Sequence, residues 1–100
     1  MKTRNRHIYF FGNKSLEYYK LGVSFDPSRR MSDIQSALPF EVDMIISRKL
    51  NYAEGSQAFR VEDELQSRFS AYRVYGEWFK SVSVKEFVRE LKDRVDFYNA

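Results

Sequence analysis

The chain predicts a small α/β (α+β) domain with elements in the order β-β-α-β-α-(β)-α. Three observations predict it. Two aromatic and β-branched stretches near the start are separated by a turn. Two helix-start signals, Asp26-Pro27 and Ser83 with Glu86, stand far apart in the chain. Between them, apolar residues recur at two different periods, two and 3.6.

His7 to Phe11 is an aromatic, β-branched run and reads as a strand. Gly12-Asn13-Lys14-Ser15 reads as a turn, and Leu16 to Ser24 as a second strand closing a hairpin. On that strand Tyr19, Leu21 and Val23 share one face, while Tyr18, Lys20, Gly22 and Ser24 share the other. Asp26 suits an N-cap because its carboxylate accepts free backbone N–H groups. Pro27 suits the first helical position because its missing N–H costs nothing there. The helix is expected to run to about Leu38, with Pro39 as the stop. Glu41 to Leu50 reads as a third strand, with Val42, Met44 and Ile46 alternating against Asp43, Ile45 and Ser47. A second helix, capped by Ser56, is expected to reach Phe69 or Ala71. Gly76 to Lys80 reads as one short extended segment. Ser83 and Glu86 form a capping box for a last helix over about 84–98, whose stripe of Val84, Phe87, Val88, Leu91 and Val95 is ordinary core packing.

The 100 residues are read as one domain, 1–100, with room for one modest core. Aromatic residues make up 17% of the chain, so that core is expected to rest on Phe and Tyr. No cysteine is present, which removes disulfides, thiolate metal sites and cysteine nucleophiles. His7 is the one histidine, so a histidine-rich zinc site is excluded and any metal must be held mainly by oxygen, favouring magnesium or manganese over zinc. No stretch approaches a membrane span, and the apolar run after the basic start is too short for a signal peptide. A soluble, cytoplasmic protein without a membrane partner is expected. The net charge of +3 and pI near 9.2 favour nucleic acid only weakly.

Helical spacing gives a sharper signal. Arg30 lies four residues before Ile34, on the line of the face marked by Ile34 and Leu38. Glu62 falls within the stripe of Ala58, Val61, Leu65 and Phe69, while Asp63 and Glu64 point away. A lone charge among apolar neighbours costs several kcal/mol unless it is paired or binds an ion. One reading is a structural Arg30–Glu62 salt bridge, or a pair at the core rim. The other is a carboxylate held for a metal and an arginine held for a phosphate, whose oxygens its planar fork matches.

The hairpin, the arginine on the next helix and the glutamate on the one after together resemble GIY-YIG nucleases, over about residues 6–79. His7-Ile8-Tyr9 falls at the family's first triplet and Lys20-Leu21-Gly22 at its second. Arg30 follows at the family spacing, and Val61-Glu62-Asp63-Glu64-Leu65 is similar to its glutamate helix. Tyr19-Lys20-Leu21-Gly22-Val23-Ser24 and Gly76-Glu77-Trp78-Phe79 are similar to a short, phage-associated branch of that superfamily. The resemblance implies a three-stranded antiparallel sheet flanked by helices. It also implies a hydrolase, an endonuclease cutting phosphodiester bonds, DNA first, with one Mg2+ or Mn2+. Carried over, Glu62 binds the metal, Arg30 grips the phosphate, and Tyr9 orients or deprotonates the attacking water. A tyrosine pKa near 10 needs nearby positive charge for the last role, and Lys20 on the paired strand is placed to supply it.

Departures from the family pattern are His7 for glycine, Lys20 for tyrosine, Ile34 where many members carry a proton-moving residue, and Gln66 where the short branch often has histidine. They leave Tyr9, Arg30 and Glu62 as the minimal set.

Other residues have two readings each. His7 is a proton carrier or phosphate contact, or a partly exposed sheet residue. Tyr18 and Tyr19 fit packing, with one of them in reach of the site. Lys20 is a phosphate contact or an edge-strand lysine. Trp78 is a core anchor, and Glu77 pairs with an arginine or helps the metal. Lys2, Arg4, Arg6, Arg48, Lys49, Arg68 and Arg73 form a nucleic-acid track or a solvated surface. The alternative function is a non-catalytic nucleic-acid-binding or partner-binding module on the same fold. A lone domain this small has little surface for long sites, so low specificity, a protein partner or a homodimer is expected.

Overall fold

The computed structural model describes residues 5–51 and 56–100. Strand β1 (His7–Asn13) and strand β2 (Tyr18–Ser24) form the expected hairpin. Helix α1 (Pro27–Gln35), strand β3 (Asp43–Lys49), helix α2 (Ser56–Arg68), a single 3-10 turn at Ser70–Tyr72, strands β4 (Arg73–Tyr75) and β5 (Trp78–Lys80), and helix α3 (Val84–Asn99) follow. The sheet has five strands in the order β3-β1-β2-β5-β4, and every pair is antiparallel.

This corrects the expected three-stranded sheet and its element order. Gly76–Lys80 is not one extended segment. Gly76 sits at φ +52, a left-handed conformation that glycine adopts without penalty, so it makes the turn of a second hairpin. Trp78–Lys80 then pairs with Tyr18–Lys20, and Arg73–Tyr75 forms the far edge.

The central strand β1 is covered on both sides, which is why Ile8 to Phe11 is an unbroken apolar run with all four residues buried. Ile8 and Phe10 face the main core with Tyr19, Leu21, Phe79, α2 and α3. Tyr9 and Phe11 face a second cluster with Val42, Met31, Ile34, Leu38 and Trp78. Phe87 of α3 is the aromatic hub of the main core, its ring centroid 4.1 Å from Phe10 and 4.6 Å from Phe69.

Strand β3 departs from simple alternation. The register against β1 jumps from Phe10↔Ile46 to Phe11↔Met44, so Ile45 is the extra residue of a bulge. Met44 consequently packs in the second cluster and Ile46 in the main core, although a period of two would give them one face. Helix α1 starts as expected, with the Asp26 carboxylate accepting the Arg29 N–H, but it ends at Gln35 rather than Leu38. Gln35 stops it: its amide donates to the Phe40 carbonyl and accepts the Val42 N–H, pinning the connection to β3. Strand β2 starts at Tyr18 rather than Leu16, because the Asn13 side chain accepts the Leu16 N–H within the turn.

The cap at Ser83 is present, its hydroxyl accepting the Glu86 N–H. The Glu86 carboxylate accepts from Arg68 on α2 at 2.8 Å. Helix α2 begins at Ser56, but the expected cap, its side chain, lies outside the described residues, as do Lys2 and Arg4 of the basic start. Among the described residues no helix is long and apolar enough to cross a membrane.

Candidate active site

Beyond Lys20, strand β2 has no strand on its outer side among the described residues, because β5 pairs with it only over Tyr18–Lys20. The Leu21 N–H donates instead to the Glu77 carbonyl at 3.1 Å, which fixes Glu77 where strand pairing stops. Helix α2 packs along the same stretch and presents Glu62 from the flank of its buried stripe. Helix α1 approaches the opposite face of the hairpin and brings Arg30. A cleft of about 400 Å³ forms between them, lined by Tyr9, Arg30, Glu62, Glu77, Arg6 and Phe59 together with Val23–Phe25.

Tyr9 is 1% exposed, its ring stacked on Phe11 and its hydroxyl end lying over Gly22, its cross-strand partner. A Cβ on Gly22 would overlap that hydroxyl and the ring carbon bearing it, so the close approach of Tyr9 requires glycine. Burial holds the Tyr9 pKa above its ordinary value. A hydrogen bond from Arg30 lowers it, and the charges of Glu77 and Glu62 raise it. The activating cation expected at Lys20 is therefore not what acts on Tyr9. Lys20 is spent on an ion pair with Glu77 at 3.4 Å.

Glu62 is half-buried and its pKa is pushed up to about 8. Burial is the main cause, followed by a hydrogen bond to Glu77 and the charge of Glu77. Lys20 opposes the rise and Asp63 adds to it. Burial and the neighbouring Glu77 carboxylate thus both favour the protonated form of Glu62. Two carboxyl groups in contact, one of them favoured in its neutral form, are the oxygen donors here that could hold a divalent cation.

Arg30 is exposed rather than turned into apolar surroundings, as its helical spacing suggested; α1 buries none of its residues fully. Among the described residues it forms no ion pair with Glu62, so the structural salt bridge considered from spacing is absent. The carboxylate pairs instead with Glu77. Tyr19 lies on the other face of the sheet, stacked on Phe10 in the main core and away from the cleft. His7 shares the Tyr9 face of β1 but does not line the cleft, and its Nδ1 is buried without a hydrogen-bond partner among the described residues. Of the basic residues considered for a track, Arg6 reaches the cleft. Arg68 is held by Glu86, Arg73 donates to the Gly76 carbonyl, and Arg48 and Lys49 lie on the far edge strand.

The T5orf172 domain model matches residues 6–98. The chain belongs to the T5orf172 family. That domain is phage-associated and stands in the context of GIY-YIG and HNH-like endonucleases, a nuclease-like or nucleic-acid-related module. Neither curated proteins nor solved structures gave a significant match.

Three cleft features of this T5orf172 chain escaped the sequence reading. Gly22 was read as part of a triplet and not as the seat of the Tyr9 hydroxyl. Phe25 and Phe59 were not singled out at all. Phe59 carried a usable signal, since it precedes Glu62 by three residues and so shares its side of α2. Phe25 carried none beyond following the end of β2.

Proposed function

We propose that this T5orf172 domain is a divalent-metal-dependent endonuclease of the GIY-YIG type, acting on DNA in the first instance. The observation that carries the reading is convergence. A phenol from β1, a guanidinium from α1 and a carboxyl from α2, distant in sequence, line one cleft.

The donors suit Mg2+ or Mn2+. Magnesium is commonly held by one or two carboxylates plus substrate phosphate and water, and Glu62 with Glu77 offers two. A cation would displace the Glu62 proton and return Glu62 to its charged form. When bound, it supplies Lewis-acid stabilisation of the phosphate and the leaving oxygen. Arg30, exposed at the cleft, donates paired hydrogen bonds to the phosphate and offsets the charge that develops on it. Tyr9 has a raised pKa and remains a phenol at neutral pH, so its hydroxyl orients the attacking water rather than removing its proton. Gly22 keeps space for that hydroxyl.

The test is incubation with linear, circular and branched DNA and with RNA, in magnesium, manganese or chelator, beside Arg30→Ala. Metal-dependent cutting that falls at least about a hundredfold in the variant is expected. Cutting unaffected by Arg30→Ala would remove the phosphate role.

A second reading draws on the Lys20–Glu77 ion pair. An ammonium 3.4 Å from one of the two carboxylates already neutralises part of the charge a cation would meet. It describes a nucleic-acid-binding or partner-binding module without catalysis. Salt-sensitive binding that needs no metal, with no cutting of any substrate, would favour it.

A further inference from the structure

Among the described residues Lys20 is the one buried polar or charged residue, at 8% exposure. Its cross-strand partners are Phe11 on β1 and Trp78 on β5, so its place in the sheet is an apolar one. An ammonium in such a place is costly unless a carboxylate answers it. The carboxylate here is that of Glu77, its Oε1 3.4 Å from the Lys20 Nζ. That separation is longer than the roughly 2.7–2.9 Å of a charge-assisted hydrogen bond. Glu77 is divided between two partners, since its carboxyl group also hydrogen-bonds Glu62, and the charge of Lys20 acts on Glu62 as well. One ammonium therefore faces both carboxyl groups that would hold a divalent cation. The backbone of Glu77 is fixed by the Leu21 N–H at 3.1 Å, while its side chain is 42% exposed, so the carboxylate can turn without moving the hairpin.

We propose that Lys20 is the resident cation of this site: its ammonium holds the Glu77 carboxylate in the free protein and competes with a divalent metal for it. The inference rests on the reading of Glu62 and Glu77 as metal donors. Lys20 acts through Glu77 and is a positioning residue. Two like charges drawn to one carboxylate repel each other, so the lysine lowers the affinity of the free protein for metal. It offers a return on the substrate side. Two carboxylates and a divalent cation sum to zero charge, and Lys20 makes the loaded site positive, which suits a polyanion.

The test is Mn2+ binding followed by electron paramagnetic resonance of the free ion, without nucleic acid, for parent, Lys20→Met and Lys20→Arg proteins. Thermal melts in chelator verify folding. Lys20→Met keeps an unbranched side chain of similar length and removes the charge; Lys20→Gln is measured beside it in case the methionine protein does not fold. Removing the charge should tighten Mn2+ binding about tenfold, and Lys20→Arg should stay within about twofold of the parent. A lysine that merely braced Glu77 would give the opposite sign, because losing the brace weakens a metal site. Equal or weaker Mn2+ binding by the uncharged variants would overturn the competition and leave the metal reading standing. Absence of Mn2+ binding from all the proteins would overturn both.

Discussion

Gly22 and Tyr9 illustrate how one backbone atom governs a site. With no Cβ on Gly22, the phenol can lie across the neighbouring strand and reach the cleft. Gly22→Ala should force the ring out of its seat and destabilise the fold by about 1–3 kcal/mol, read from urea denaturation midpoints. Equal stability, with cleavage intact, would mean that the ring has slack. Tyr9→Phe keeps the ring and removes the hydroxyl. It should melt close to the parent and lose about a hundredfold or more in cleavage rate.

Glu62 makes a prediction with a definite sign. Its folded pKa, about 8, lies above the unfolded value, so the folded protein holds the extra proton across the interval between them. Stability from this group therefore falls as pH rises from about 4.5 toward 8. Glu62→Gln, which cannot ionise, should melt increasingly above the parent over that range in chelator, with little difference at its acid end. A gap that narrowed as pH rose would contradict the burial of this carboxyl.

At the scale of elements, local chemistry was legible where it acts through neighbours in sequence. Asp26-Pro27 and Ser83 capped their helices as their side-chain chemistry requires. Ser83→Ala should cost about 1 kcal/mol, measured by thermal or chemical unfolding, through the lost acceptor for the Glu86 N–H. Elements set by distant partners were less legible. The Ile45 bulge exists because β3 must serve both clusters beside β1, and nothing in Met44-Ile45-Ile46 itself distinguishes a bulge from plain alternation. The second hairpin could have been read from Gly76, since glycine there is better placed as a turn than as the first residue of a strand. Its pairing with β2 depends on Trp78 and Phe79 finding opposite faces of the sheet, which is a tertiary fact.

For the whole molecule, two apolar layers sandwich β1, and the cleft opens where strand pairing on β2 gives out. Phe87 links three other core rings across that arrangement, so Phe87→Ala should cost about 3–5 kcal/mol in unfolding free energy. The convergence of Tyr9, Arg30 and Glu62 was legible as an ordered set of residues at matching spacing. Their interactions were not. Spacing on a helix says which way a side chain leaves its axis, but not that Glu62 meets Glu77, that Lys20 neutralises Glu77 rather than activating Tyr9, or that Arg30 stays exposed. Those outcomes depend on a hairpin that brings Glu77 back to Lys20 of β2, 57 positions earlier in the chain, a separation that only tertiary packing closes.

The most direct test of the central claim is cleavage by the parent and by Glu62→Gln in manganese, under single-turnover conditions at one pH, with folding verified for both. Cutting by the parent that chelator abolishes, and that Glu62→Gln loses by at least about a hundredfold, is expected. Equal cutting by the two proteins, or cutting that persists in chelator, would contradict a metal-bound Glu62 at the centre of this site.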